Sequence, residues 1–228
     1  MDELTAAETL PDPTSVREGG FSKSQETKRR ILDAMLRLLA EQGYAATSMP
    51  AVAKAAGMSR TAMLHHFPSR RVLLDAVVRH VMRRRIELHE AFVSGIPRDQ
   101  RFRGVAVDAS WEQLQAVEFK AYYELSVAAR TDAELNQVFQ ETLEAFDRAR
   151  RDVGVKLAEP SVANSPVFDL RRDIHRLVME GMVTGEGIAF DVEKRSSELV
   201  AFLKLLWSDE GAAFLRRAQA LALEPTGK

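Results

Sequence analysis

The sequence predicts an all-α protein in two parts, and three observations carry that prediction. Apolar residues recur at spacings of three and four, as on one face of a helix, and no segment alternates apolar and polar residues as a half-buried strand would. Ser, Asp, Gly and Pro stand at the intervals that start and stop helices. Charge is segregated: residues 1–20 carry −4, residues 21–85 carry +9 and residues 86–228 carry −6, within a net −1. A basic block in a near-neutral chain is the electrostatic footprint of a site for a polyanion.

The elements follow in order. Residues 1–20 hold Pro11, Pro13, Gly19 and Gly20 among scattered acids, with no apolar period, and are expected to be a tail without structure. Ser22 with Gln25 forms a capping-box pattern, and Ile31, Met35, Leu38 and Leu39 then share a face as far as Gly43. Ser48 caps a short second helix with Pro50 in its first turn, where a missing amide is tolerated, and Gly57 ends it. Ser59 caps a third helix reaching His66, and Pro68-Ser69 breaks the chain before a long fourth helix from Ser69 to Phe92. Helices are expected over 102–114, 117–130 and 132–153, with Thr131-Asp132 as a stop and a new cap. A loop over 156–165 then leads to helices over 168–190, 193–207 and 209–223.

Composition narrows the function classes. With 46% hydrophobic and 29% charged residues the chain is expected to fold as a soluble globular protein. It has no cysteine, so disulfides, thiolate metal sites and thiol nucleophiles are excluded. Acids near the N-terminus, where a signal peptide carries bases, and the lack of a long apolar run predict a cytoplasmic protein that does not engage a membrane. His65 and His66 are adjacent and so point about 100° apart on a helix, with no third ligand close in sequence, so no metal and no cofactor is expected. No nucleophile elbow, phosphate-binding glycine loop or zinc-protease signature is present, which argues against an enzyme.

Residues 48–67 supply the parts of a helix-turn-helix. Ala53 is small enough for two helices to approach, Gly57 can adopt the left-handed turn, and Val52, Met58 and Met63 fill the space between the helices. The run Gly43-Tyr44, Thr47 to Ser59, Met63 to Arg70 and Leu73-Leu74 resembles the N-terminal domain of the TetR family over about residues 24–75. A second stretch, Tyr123-Glu124-Leu125 to Leu135, resembles a helix junction common in that family. The resemblance implies an N-terminal three-helix helix-turn-helix domain over 21–75 and a C-terminal helical domain for ligand sensing and dimerisation over 76–228. It implies a homodimer that binds double-stranded DNA at an inverted-repeat operator and is released as a repressor by a small effector.

Carried onto this sequence, the resemblance makes 59–66 the recognition helix, headed by Ser59. Arg60 and Thr61 stand where family members read base edges, and an Arg can pair bidentately with guanine. Ser48, His65, His66 and Arg70 stand at phosphate-contacting positions, with Lys54 a further phosphate residue. Leu64 replaces the usual Tyr, leaving only an apolar contact with a thymine methyl, and Pro50 replaces a position that sometimes contacts a base. Trp111, Phe119, Tyr122 and Tyr123 are the expected ligand-binding residues, for an apolar or aromatic effector. The dimer is expected to form through Leu170, Ile174, Leu177, Val178 and Met182 on one helix and Leu199, Phe202, Leu203 and Leu206 on the next, with Gly181 and Gly185 allowing close approach. The alternative reading is a helical small-molecule-binding module with degenerate DNA specificity.

Overall fold

The computed structural model describes residues 10–15, 22–97, 104–185 and 192–223. Among these residues there are eleven helices and no strand. They are α1 (Ser22–Ala46), α2 (Met49–Ala55), α3 (Arg60–His66), α4 (Arg70–Ser94), α5 (Gly104–Leu114), α6 (Val117–Ala129), α7 (Ala133–Leu157), α8 (Pro160–Ala163), α9 (Phe168–Gly185), α10 (Val192–Leu206) and α11 (Asp209–Leu223). The all-α prediction holds throughout them. The expected helix start at Phe102 and helix end at Phe190 lie outside the described residues.

The caps explain where the short helices begin and end. The Ser48 hydroxyl accepts from the Ala51 amide at 3.4 Å, and Pro50 sits in the first turn of α2. Gly57 has φ 67°, and the Met58 and Gly57 amides reach back to the Ala53 and Lys54 carbonyls, each at 3.0 Å, which closes a Schellman turn. Ser59 then caps α3 by accepting from the Ala62 amide at 3.1 Å. Asp132 caps α7 at the Leu135 amide, 3.0 Å away, as the restart at Thr131-Asp132 predicted.

At Gly43 (φ 77°, ψ 171°) the helical path of α1 breaks, at the expected stop, and a second short helical stretch runs on to Ala46. Two details depart from the sequence reading. The expected loop over 156–165 contains the end of α7 and the single turn α8, which starts at Pro160. Residues 10–15 are not a free tail: Leu10 and Thr14 are buried, the Arg83 guanidinium donates to the Leu10 carbonyl at 3.0 Å, and Lys28 donates to the Ser15 carbonyl at 2.9 Å.

The chain forms two compact units. The first comprises the described residues of Met1–His89 and Ala116–Arg150. In it α1 packs against α2, α3 and α6. Ile31, Leu39, Val52, Met63, Leu74 and Leu125 are buried there, each contributing about 1.5–3 kcal/mol of apolar burial. The second comprises the described residues of Glu90–Gln115 and Arg151–Lys228. Its core joins Val107 of α5, Met179 and Met182 of α9, Leu203 and Leu206 of α10, and Leu215 of α11.

Candidate nucleic-acid interface

The turn between α2 and α3 holds two helices at a fixed angle because its anchors are buried. Val52, Ala53, Met63 and Phe67 are each at most 2% exposed, with Met58 half-buried beside them. Once Met63 and Phe67 point inward, the 3.6-residue period turns Arg60, Thr61 and His65 outward, and all three are exposed. Ser48, Lys54 and Ser59 are exposed as well, while Leu64 and His66 are partly covered. Eight of the nine expected DNA-binding residues are thus exposed or partly exposed on α2, α3 and their caps. Among the described residues, none forms a hydrogen bond or ion pair with the Arg60 side chain.

Electrostatics on this face is basic beyond what the motif contributes. Burial pushes the His66 imidazole below its ordinary pKa, and Lys28, His65 and Arg30 lower it further by their positive charge. Lys28 and Arg30 belong to α1 and had no place in the sequence reading of the site. The run Lys28-Arg29-Arg30 was the signal available, since two of its three residues fall next to the α3 end.

Arg70, the ninth residue, is engaged elsewhere. Its guanidinium donates to the Tyr44 hydroxyl, to Asp132 Oδ2 at 3.2 Å and to Glu134 Oε2 at 3.4 Å, and lies 5.4 Å from the Tyr44 ring centre. Tyr44 in turn donates to Asp132 Oδ2 at 2.6 Å. Burial, reinforced by the Asp132 carboxylate, pushes the Tyr44 phenol up to about 12. The hydrogen bond from Tyr44, followed by that from the Leu135 amide, holds Asp132 at about 2. The first residue of α4 is thus tied to the junction of α6 and α7 within the first unit. Arg71 follows it, donating to Gln137 at 3.4 Å.

The expected ligand residues separate. Phe119 and Tyr122 of α6 pack in the first unit with Phe139 and Phe146 of α7, Tyr122 lying 5.7 and 6.3 Å from the latter two ring centres. Tyr123 is partly exposed beside them in sequence, and Trp111 of α5 packs on the core of the second unit. A cleft of about 520 Å³ in the first unit is lined instead by charged groups, including Arg29, Arg37, Arg83, Arg84 and Glu118. On its wall the buried His80 shares a 2.7 Å hydrogen bond with Asp33, which holds that carboxyl below its ordinary range. None of the four expected ligand residues lines this cleft.

The expected dimer face also needs correction. Leu203, Leu206 and Met182 are at most 3% exposed and belong to the core of their own chain. Leu170, Ile174, Val178 and Leu199 are partly buried against that core. The large apolar side chains that α9 and α10 leave in solvent are Leu177, Phe202 and Leu205, at 61%, 45% and 51% exposure. Among the described residues no group of three metal-ligating side chains converges, and no helix is long and apolar enough to cross a membrane.

Comparison with known proteins agrees with this geometry. Residues 31–77 match the family described as bacterial regulatory proteins, tetR family. An uncharacterized HTH-type transcriptional regulator of Mycobacterium tuberculosis is 31% identical over 184 residues, covering 81% of this chain and 94% of that protein. A TetR-family transcriptional regulator from Rhodococcus has a similar fold, with a TM-score of 0.62 at 20% identity over 80% of this chain and 99% of that one. The regulator FadR of Bacillus subtilis, solved with stearoyl-CoA, has a TM-score of 0.53 at 17% identity over 80% of this chain and 98% of that one.

Proposed function

We propose, starting from the fact that this chain belongs to the TetR family of bacterial DNA-binding transcriptional regulators, that it is a dimeric repressor released from an inverted-repeat operator by a small molecule. One observation carries the proposal. The capped head of α3 presents Arg60 and Thr61 to solvent on a rigid turn, with Arg60 unengaged among the described residues. A helix so placed fits the major groove, where Arg60 pairs with a guanine edge and Thr61 contacts a neighbouring base. Ser48, Lys54 and His65 flank it on phosphates, with Lys28 and Arg30 adding basic charge.

In this reading residues 21–75 are the reader and the remainder of the chain serves sensing and dimerisation. Arg70 acts as a positioning residue that ties the reader to the junction of α6 and α7, because two carboxylates already neutralise it. Leu177, Phe202 and Leu205 form the centre of a symmetric interface between two copies. That the Bacillus subtilis protein of this fold was solved with stearoyl-CoA supports a small-molecule effector.

Selection of bound fragments from a genomic DNA pool tests the proposal. The expected product is an inverted repeat whose half-site centres lie about 34–36 Å apart, or a multiple of that spacing. Enrichment of fragments sharing no repeat would refute it.

A further inference from the structure

The cleft of about 520 Å³ in the first unit is lined by residues of α1, α4 and α6, with Asp12 and Thr14 of residues 10–15 on its wall. That volume holds a small organic molecule. Of the lining residues only Leu36 and Val117 are apolar, so a molecule that fits it is hydrophilic. Hydrogen-bond capacity then decides the charge of the occupant. Every carboxylate of the lining is already engaged. Asp12 accepts from the Thr14 amide and hydroxyl at 2.8 and 2.7 Å, and Asp33 pairs with His80 at 2.7 Å. Glu87 takes Arg83 at 3.2 Å and Arg84 at 3.0 Å, and Glu118 takes Arg84 at 3.2 Å.

The donors are not all spent. Arg29 and Arg37 line the same cleft, four residues to either side of Asp33 on one stripe of α1, and neither donates a hydrogen bond to any described residue. A guanidinium carries five N–H donors in a fork that grips a carboxylate or phosphate oxygen pair. His80, 5% exposed, spends one ring nitrogen on Asp33 and has the other to offer. What the cleft lacks is acceptors. We infer that it binds a small hydrophilic molecule with two anionic groups, phosphoryl or carboxylate, held at its two ends by Arg29 and Arg37. The Cα atoms of the two arginines are about 12 Å apart, eight residues at about 1.5 Å each, and two extended side chains close that span onto the ends of one molecule. The aromatic residues expected to bind an effector have no part in this site, since none of them lines the cleft. Nor does the site depend on the chain being a ligand-released repressor.

Calorimetric titration of the full chain with sodium pyrophosphate and with sodium succinate, at ionic strength fixed with sodium chloride, tests the site. Succinamide serves as the neutral comparator. Binding of one or both anions without binding of succinamide is expected, and which anion binds separates a phosphoryl ligand from a carboxylate one. Arg29→Ala and Arg37→Ala should each weaken that binding about tenfold, the loss of one charge-assisted contact. Both side chains are exposed and unbonded, so their removal leaves the fold intact, which circular dichroism verifies. Arg148→Ala removes an exposed arginine of α7 outside the cleft and should leave anion binding unchanged. Binding of neither anion overturns the inference, as does an Arg148→Ala loss equal to that of the two α1 variants. So does anion binding unchanged in both α1 variants with a reduced salt slope of duplex binding, since the two arginines would then face DNA phosphates.

Discussion

The Tyr44 hydroxyl donates to the Asp132 carboxylate across 88 residues of sequence, at 2.6 Å, and Arg70 closes the triangle from the start of α4. Removing either partner leaves the other short of its bond. Asp132 is held at about 2 against an ordinary 3.8, so its contribution is complete above about pH 4 and is lost as pH falls toward 2. Tyr44 is held at about 12 against 10, so its contribution is complete below pH 10 and is lost as pH rises toward 12. Partial exposure reduces the effect to about 1–2 kcal/mol. Tyr44→Phe should therefore flatten the stability profile at both edges, which urea titrations at pH 2.5, 7 and 11 would measure. An unchanged acid limb would mean that the α7 amide and Arg70 stabilise the Asp132 carboxylate without Tyr44.

Arg70→Ala should lower stability, with an effect non-additive with Asp132→Asn, while leaving the salt dependence of DNA binding unchanged. A residue that instead spends its charge on a phosphate would reduce the slope of log affinity against log salt by about one unit. Anisotropy titrations of a bound duplex between 50 and 200 mM salt, roughly the range where phosphate contacts separate most clearly, distinguish the two.

Gly43 and Gly57 both take positive φ, yet they should respond differently to Ala. A Cβ on Gly43 would meet Glu124 Oε2 at 2.9 Å, the oxygen that accepts from the Tyr44 amide, whereas among the described residues, chain neighbours aside, nothing lies within 4 Å of a Cβ on Gly57. Gly57→Ala should cost only the backbone strain, about 1 kcal/mol, and Gly43→Ala about 2–3 kcal/mol. Thermal melts of the two variants check the order, and equal losses would show that Glu124 moves aside freely.

The reader was legible in the sequence because its determinants are local. Ser48, Gly57 and Ser59 each act within five residues, and Val52 and Met63 follow the helical period directly. The ties of Arg70 were not legible because its partners Asp132 and Glu134 lie 62 and 64 residues away, and sequence spacing carries no information about that approach. On α10 the residues Leu199, Phe202, Leu203, Leu205 and Leu206 are apolar on nearly all sides, so periodicity alone does not tell the inner face from the outer.

That ambiguity gives a direct test of the dimer. Leu205→Glu, on the exposed face, should yield a folded monomer of 25.5 kDa by light scattering, with weakened DNA binding. Leu203→Glu places a charge in the chain's own core and should unfold the second unit instead. A Leu205→Glu protein that remains dimeric would put the interface elsewhere.

If α3 reads base sequence through Arg60, that side chain sets the ratio of affinities for a selected operator and a random duplex at physiological salt. The wild-type protein should bind the operator at least about 10³-fold more tightly. Arg60→Ala should lose about 1–3 kcal/mol on the operator alone, relaxing the preference at one base pair per half-site. Equal affinity for operator and random duplex, or an Arg60→Ala loss of the same size on both, would contradict the account.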